Sequence, residues 1–196
     1  MSHPRGEIFQ VVTQRVSSCR LLVSEEEDRW ITLNGPGLVL YVSFVNGSAE
    51  QSDKSPVDDG RLSKAVKSLM NAKLASSSGW KSDHSDAQSV ASLAEQAAGE
   101  STMNVVIIPQ ATLTGRLDPG DKYIKYHRQV DKTRGYVLYS LFVRHVLDFF
   151  GTQQEIDTST GGFGLTRGIQ ITWGSYGKRQ GWEMMSTGPS THYFEF

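Results

Sequence analysis

The residues Leu38 to Val45 (LVLYVSFV) form a nearly unbroken apolar run, interrupted only by Ser43. A strand with one wet face alternates polar and apolar side chains. A continuous run therefore predicts a strand buried on both faces. Val105 to Ile108 (VVII), ended by Pro109, reads the same way. These two segments place a covered sheet at the centre of the fold.

Around them, Ile8 to Val23 is rich in β-branched residues and predicts one long or two short strands. Trp30-Ile31-Thr32 predicts a short partner strand, and Asn34-Gly35-Pro36-Gly37 a turn. Leu62, Val66, Leu69, Met70 and Leu74 recur at helical spacing with Lys64, Lys67 and Lys73 between them, an amphipathic helix with a basic wet side. Val137, Leu138, Leu141, Phe142, His145, Val146 and Phe149 mark a second helix face within Gly135 to Phe150, with Gly151 as its stop. The tail predicts strands at Ile169 to Trp173, Gln180 to Met185 and Thr191 to Phe196, with turns at Gly174 to Gly177 and Gly188-Pro189. Segments 46–60 and 75–103 are polar and carry little core, apart from one weak helix near Gln88 to Ala98. The order strands, helix, strand, helix, strands implies an α/β fold. Its mixed β-sheets form a partly closed barrel or a β/β/α three-layer arrangement with two main helices. At 196 residues the chain fits a single domain, 1–196, with loop expansions at 46–60 and 75–103.

Composition narrows the function classes. Formal net charge is -1, so contact with a nucleic acid requires a local basic patch. The single cysteine, Cys19, excludes an internal disulfide and suits a reducing compartment. No apolar run approaches the roughly 20 residues that span a bilayer, and Met1 to Glu7 lacks a signal-peptide core. A cytoplasmic protein without a membrane segment is the simplest expectation. The five histidines show no metal-ligand spacing, His145 reads as a satisfied core histidine, and no cofactor motif is present. No nucleophile elbow, P-loop or H-E-x-x-H signature occurs.

Three segments carry candidate chemistry. Pro109-Gln110-Ala111-Thr112-Leu113 sits where a buried strand breaks. Proline ends the ladder, and the amides after it, with the Gln110 side chain, can bind a carbonyl or a developing oxyanion. Read alone, the segment is equally a strand cap and turn. Ser186-Thr187-Gly188-Pro189-Ser190-Thr191 joins a glycine, which lets a backbone approach a ligand, to a proline that fixes the loop. Read alone, it is a hairpin turn. Arg116 to Arg134 holds Arg116, Lys122, Lys125, Arg128, Lys132 and Arg134 against three aspartates, with Tyr123, Tyr126 and His127 interleaved. Such a loop can hold phosphates and stack on unpaired bases, or simply be solvated.

Taken together, these segments resemble the D-aminoacyl-tRNA deacylase superfamily over roughly residues 8 to 196. Pro109 to Leu113 is similar to the family's Ser-Gln-Phe-Thr-Leu-like motif, and Ser186 to Thr191 to its Asn-x-Gly-Pro-x-Thr-like motif. Val12 to Val16 (VTQRV) looks like its N-terminal strand. Proline at 109 and alanine at 111 depart from the pattern. With Arg116, Tyr126-His127 and the TGPSTHYFEF ending, they look closer to the animal-type sister branch, which removes L-alanine misattached to threonine tRNA.

The resemblance implies hydrolysis of D-aminoacyl-tRNA as chirality proofreading, with the sister activity or a non-catalytic nucleic-acid-binding module as alternatives. It implies catalytic roles for Gln110, Ala111 and Thr112, with the neighbouring ribose 2′-hydroxyl assisting. Substrate contacts fall on Gly188, Pro189, Thr191 and Pro109, and tRNA contacts on Arg116, Lys122, Lys125 and Arg128. It implies no metal or cofactor. It also implies a homodimer in which the Gly-Pro loop of one subunit reaches the site of the other. Gly188-Pro189 would be cis in the D-specific branch and trans in its sister.

Overall fold

A computed structural model describes residues 7–46, 57–76, 87–97, 103–166 and 168–196. The first two strands, β1 (Glu7–Ser24) and β2 (Arg29–Asn46), form a long antiparallel hairpin. Helix α1 (Asp59–Asn71) and the short α2 (Val90–Gln96) follow, then β3 (Met103–Pro109). A 3-10 turn (Ala111–Thr114) leads into a two-stranded ribbon, β4 (Gly115–Arg116) and β5 (Lys125–Tyr126). Helix α3 (Lys132–Phe149) precedes β6 (Gly162–Thr166), β7 (Ile169–Trp173) and β8 (Trp182–Glu195). The main sheet has the order β6-β7-β3-β2-β1-β8, with β3 parallel to both β2 and β7.

The sheet has two unlike faces. One buries Leu38, Leu40, Val42, Val105, Ile107, Ile169 and Ile171 against α1, α2 and α3 in the larger core. The other buries Val39, Val106 and Ile108 against Leu21, Val23, Ile31 and Leu33 from the distal part of the β1–β2 hairpin. Alternate residues of the Leu38–Val45 run thus enter different cores, which explains its lack of polar alternation. The hairpin curls back until its end meets β7. The Ser175 hydroxyl donates to Val23 O at 2.8 Å, and Arg29 donates to Thr160 O at 3.1 Å. The barrel is therefore only partly closed, by side-chain hydrogen bonds rather than by a ladder. The α/β layering expected from the sequence is found, with α1 and α3 as its main helices.

Asn34 to Gly37 does not turn the chain. The turn lies at Glu25 to Asp28, and β2 runs unbroken through the Gly-Pro-Gly segment. The reason is a buried asparagine. Asn104 on β3 donates to Asn34 O (3.1 Å), Gly35 O (3.5 Å) and Pro36 O (3.1 Å), satisfying carbonyls where the β1–β2 register shifts. Gly35 adopts φ +92, which favours glycine there.

Helix α3 begins at Lys132, three residues before the start expected at Gly135, because Asp131 caps the Thr133 and Arg134 amides at 2.7 and 2.9 Å. It stops at Gly151 (φ +76), where Thr152 N–H reaches Leu147 O and Gly151 N–H reaches Asp148 O. Strand β6 carries too short and glycine-rich a pattern to be read from sequence. The weak helix near Gln88 is α2. Residues 47–56, 77–86 and 98–102, which make up much of the two expected expansions, lie outside the described residues.

Candidate active site

Strand β3 ends at Pro109, and the parallel ladder closes with one further bond, Gln110 N–H to Val42 O at 2.8 Å. The chain then enters the 3-10 turn Ala111–Thr114. The Gln110 amide is thus spent on β2. The first amides of the turn, at Ala111 and Thr112, precede any intrahelical acceptor. The Gln110 side chain donates to the Thr112 hydroxyl at 3.3 Å. The turn is braced from outside, since Gln129 Nε2 donates to Ala111 O at 2.6 Å. Gln129 itself is fixed where residues 128–130 pair with the end of β2.

This turn forms one wall of a cavity of about 650 Å³, a size typical of small-ligand pockets, ~300–1,000 Å³. The floor is Val42, Ser43 and Phe44 of β2, and the opposite wall is Lys132 with the Tyr176–Arg179 turn after β7. Tyr176 is held by its rings: its centroid lies 5.6 Å from that of Tyr139 and 6.1 Å from that of Tyr136. Burial, then the Asp131 charge, raises its pKa. Tyr139 is fully buried, and its hydroxyl reaches Ile107 O at 3.0 Å and Gly174 O at 3.1 Å, tying β3 and β7 together just below the cavity.

The second motif is not a hairpin turn. Both halves of β8 pair with β1: Ser186 opposes Val16 and Thr191 opposes Gln14. Thr187 to Ser190 therefore stand out from a continuous strand as an excursion opposite the single residue Arg15. Gln14, 8% exposed, is its hub. Its Nε2 donates to Ser186 Oγ (2.9 Å), Arg15 O (2.8 Å) and Gly188 O (3.3 Å), and its Oε1 accepts from the Thr191 hydroxyl. Ser186 Oγ also donates to Gly188 O at 2.7 Å, and Arg15 Nε reaches Ser190 Oγ at 2.7 Å. Gly188 takes φ +122, Pro189 is exposed, and the peptide between them is trans. Gln14 and Arg15 carried no site role in the sequence reading. Their signal, a polar pair inside an apolar strand, becomes meaningful only with the pairing to β8.

The two motifs do not meet within one chain. β2 and β1 lie between β3 and β8, which at ~4.8 Å per strand sets the two strands ~14 Å apart. In the basic loop, Arg116 pairs with Asp118, and Lys125 with Asp121 at 2.9 Å and Asp118 at 3.8 Å. Lys122 and Arg128 are exposed, as are Tyr123 (82%) and Ile124 (57%). His145 is held by Asp59, 2.7 Å from its Nε2. Burial pushes the Cys19 thiol up to about 12. Among the described residues no cluster of three His, Cys, Asp or Glu is placed to hold a metal, and no helix is long and apolar enough to cross a membrane.

A curled mixed sheet with helices on one face and a cleft at the end of its central parallel strand defines a known architecture. The chain matches a solved structure described as a "probable eukaryotic D-amino acid tRNA deacylase", with TM-score 0.71 and 25% identity, over 96% of this chain and 100% of that one. The c-Myc DNA unwinding element binding protein shares the fold, with TM-score 0.59 and 17% identity over 94% and 97%. The family model for D-Tyr-tRNA(Tyr) deacylase matches residues 12–195, and the chain belongs to that family. Similar relatives include D-aminoacyl-tRNA deacylase 2 of Gallus gallus, 31% identical over 100% of both chains. The Danio rerio protein of that name is 30% identical over 95% of this chain and 98% of its own.

Proposed function

We propose that this protein is an aminoacyl-tRNA deacylase that hydrolyses the ester of D-aminoacyl-tRNA, in the cytoplasm, as one domain spanning 1–196. The observation that carries the reading is the 3-10 turn after Pro109, whose Ala111 and Thr112 line a cavity of small-ligand size. Water attacking the ester carbonyl creates an oxyanion, and preorganised amides stabilise it without any reorganisation. Gln110 orients the ester, and Thr112 offers a hydrogen bond. The substrate's ribose 2′-hydroxyl assists, which accounts for a site without a nucleophile-base pair.

In this reading Gly188, Pro189 and Thr191 face the amino acid in the cleft of a second subunit, because their own cleft lies two strands away. A backbone wall suits a chirality filter, since D and L forms differ only in where the side chain points. The trans Gly188-Pro189 peptide favours a second reading, in which a widened pocket accepts L-alanyl-tRNA.

Single-turnover deacylation of D-tyrosyl-tRNA, L-tyrosyl-tRNA and L-alanyl-tRNA bearing a threonine anticodon separates these readings. Cleavage of the D-ester and not of L-tyrosyl-tRNA supports the first, and cleavage of L-alanyl-tRNA the second. Binding of tRNA with no cleavage leaves a binding module. An undiminished rate in Gln110→Ala removes the active site from this cleft.

A further inference from the structure

The wall of the cavity opposite the 3-10 turn carries a charge pattern that hydrolysis does not use. Lys132, Lys178 and Arg179 line it, and among the described residues no carboxylate lines the cavity, although the chain is net negative. None of the three makes an ion pair with a described carboxylate, in contrast to Arg116 and Lys125 of the basic loop. The nearby carboxylates are engaged elsewhere: Asp131 caps α3, and Asp157, which feels the Lys178 charge, accepts from the Ser159 amide at 2.8 Å.

We infer that Lys132, Lys178 and Arg179 hold the phosphodiester that precedes the terminal nucleotide of tRNA. The inference rests on the deacylase reading for the identity of the ligand. Its chemistry, an anionic group held at the rim, stands on the cavity itself. Holding the phosphate at the rim sets the depth to which the ester reaches the Ala111 and Thr112 amides.

The test is binding of 5′-AMP against adenosine to the full chain, with Lys178→Ala/Arg179→Ala as the variant. The expected result is that AMP binds about tenfold more tightly than adenosine, and that the double variant reduces this preference to about twofold. Wild-type protein that does not distinguish AMP from adenosine overturns the inference, as does a double variant that keeps the preference.

A second readout uses the salt dependence of kcat/KM on aminoacyl-tRNA. Loss of the contact to this one phosphate on a single strand reduces the log–log slope by up to about 0.7, and an unchanged slope contradicts the assignment. Protein that binds AMP by these rules yet cleaves no ester would retire the deacylase reading while keeping the anion site.

Discussion

The hydrogen bonds of Gln14 predict how firmly the Gly-Pro excursion is held. In Gln14→Leu the side chain keeps its approximate volume but loses its contacts to Ser186, Gly188, Arg15 and Thr191. Ser186 still bonds Gly188 through its own hydroxyl, so the loss is partial. Two net hydrogen bonds at ~1 kcal/mol each, plus one buried polar group left unpaired at ~1–2 kcal/mol, give ~3–4 kcal/mol. With a urea slope of ~2 kcal/mol/M, the unfolding midpoint falls by ~1.5–2 M. The excursion also loses its fixed shape, so the single-turnover rate falls by about tenfold or more, as 1 Å misplacements commonly cost. Gln14→Glu sharpens the test. It preserves the acceptor for Thr191 but turns a second carboxylate oxygen toward Gly188 O, so its rate falls as far as that of Gln14→Leu. Urea denaturation at fixed protein concentration and rapid-quench deacylation measure the two effects. A midpoint within ~0.3 M of wild type, with the rate intact, would refute the claim that Gln14 holds the loop.

Four further outcomes follow from the same geometry. Tyr139→Phe removes the hydroxyl between Ile107 O and Gly174 O, and should lower stability by ~1–3 kcal/mol in calorimetry and slow deacylation by loosening the end of β3. Gly135→Ala would ordinarily stabilise a helix by up to ~1 kcal/mol; here its Cβ overlaps the Tyr176 hydroxyl, so it should destabilise and raise KM by displacing a cavity wall. Asn104→Ala strips three β2 carbonyls of their donor, and should cost ~2–4 kcal/mol, read as a lowered Tm. The Cys19 thiol, held up to about 12 by burial, should resist a thiol reagent at pH 8 in native protein and react in urea. An unfolded thiol ionises near its ordinary value of 9.0 while the folded one stays neutral, so this residue's contribution to stability falls as pH rises from about 9 to 12.

Much of this was legible in the chain because periodicity reports burial. Leu38–Val45 and Val105–Ile108 announced covered strands, and the faces of α1 and α3 announced helices, since each pattern follows from which side is dry. What failed was punctuation. Gly-Pro-Gly at 35–37 and Gly188-Pro189 both read as turns, and both lie inside continuous strands. Each is held by a partner distant in sequence: Asn104 for the first, Gln14 for the second. Local turn chemistry says that the chain can bend; only the pairing says whether it reverses. The site was legible to the same extent. Gln110 to Thr112 stood at a predicted strand end, whereas Lys178, Arg179 and Ser43 came to it from β7's following turn and from mid-β2.

A site that works through backbone groups places its demands on residues that take no part in the bond-making chemistry. Amides and carbonyls cannot be exchanged by evolution or by mutagenesis, so their positions are tuned only through what braces them. Here the bracing is specific: Val42 O fixes Gln110, Gln129 fixes Ala111, Tyr139 ties β3 to β7, and Gln14 holds Gly188. Substitution of such a brace shifts an amide by a fraction of an ångström and leaves the chemistry of every reacting group unchanged. Gln129→Ala is the clearest case. Its side-chain amide donates to Ala111 O at the cavity wall, and its removal costs little stability because the residue is exposed. If the Ala111 and Thr112 amides bind the oxyanion, this change should lower kcat by about tenfold with KM nearly constant, since only the transition state carries the full negative charge. A fall in kcat/KM arising wholly from KM would mean that the turn positions the ground state, and that the oxyanion is stabilised elsewhere in the cleft.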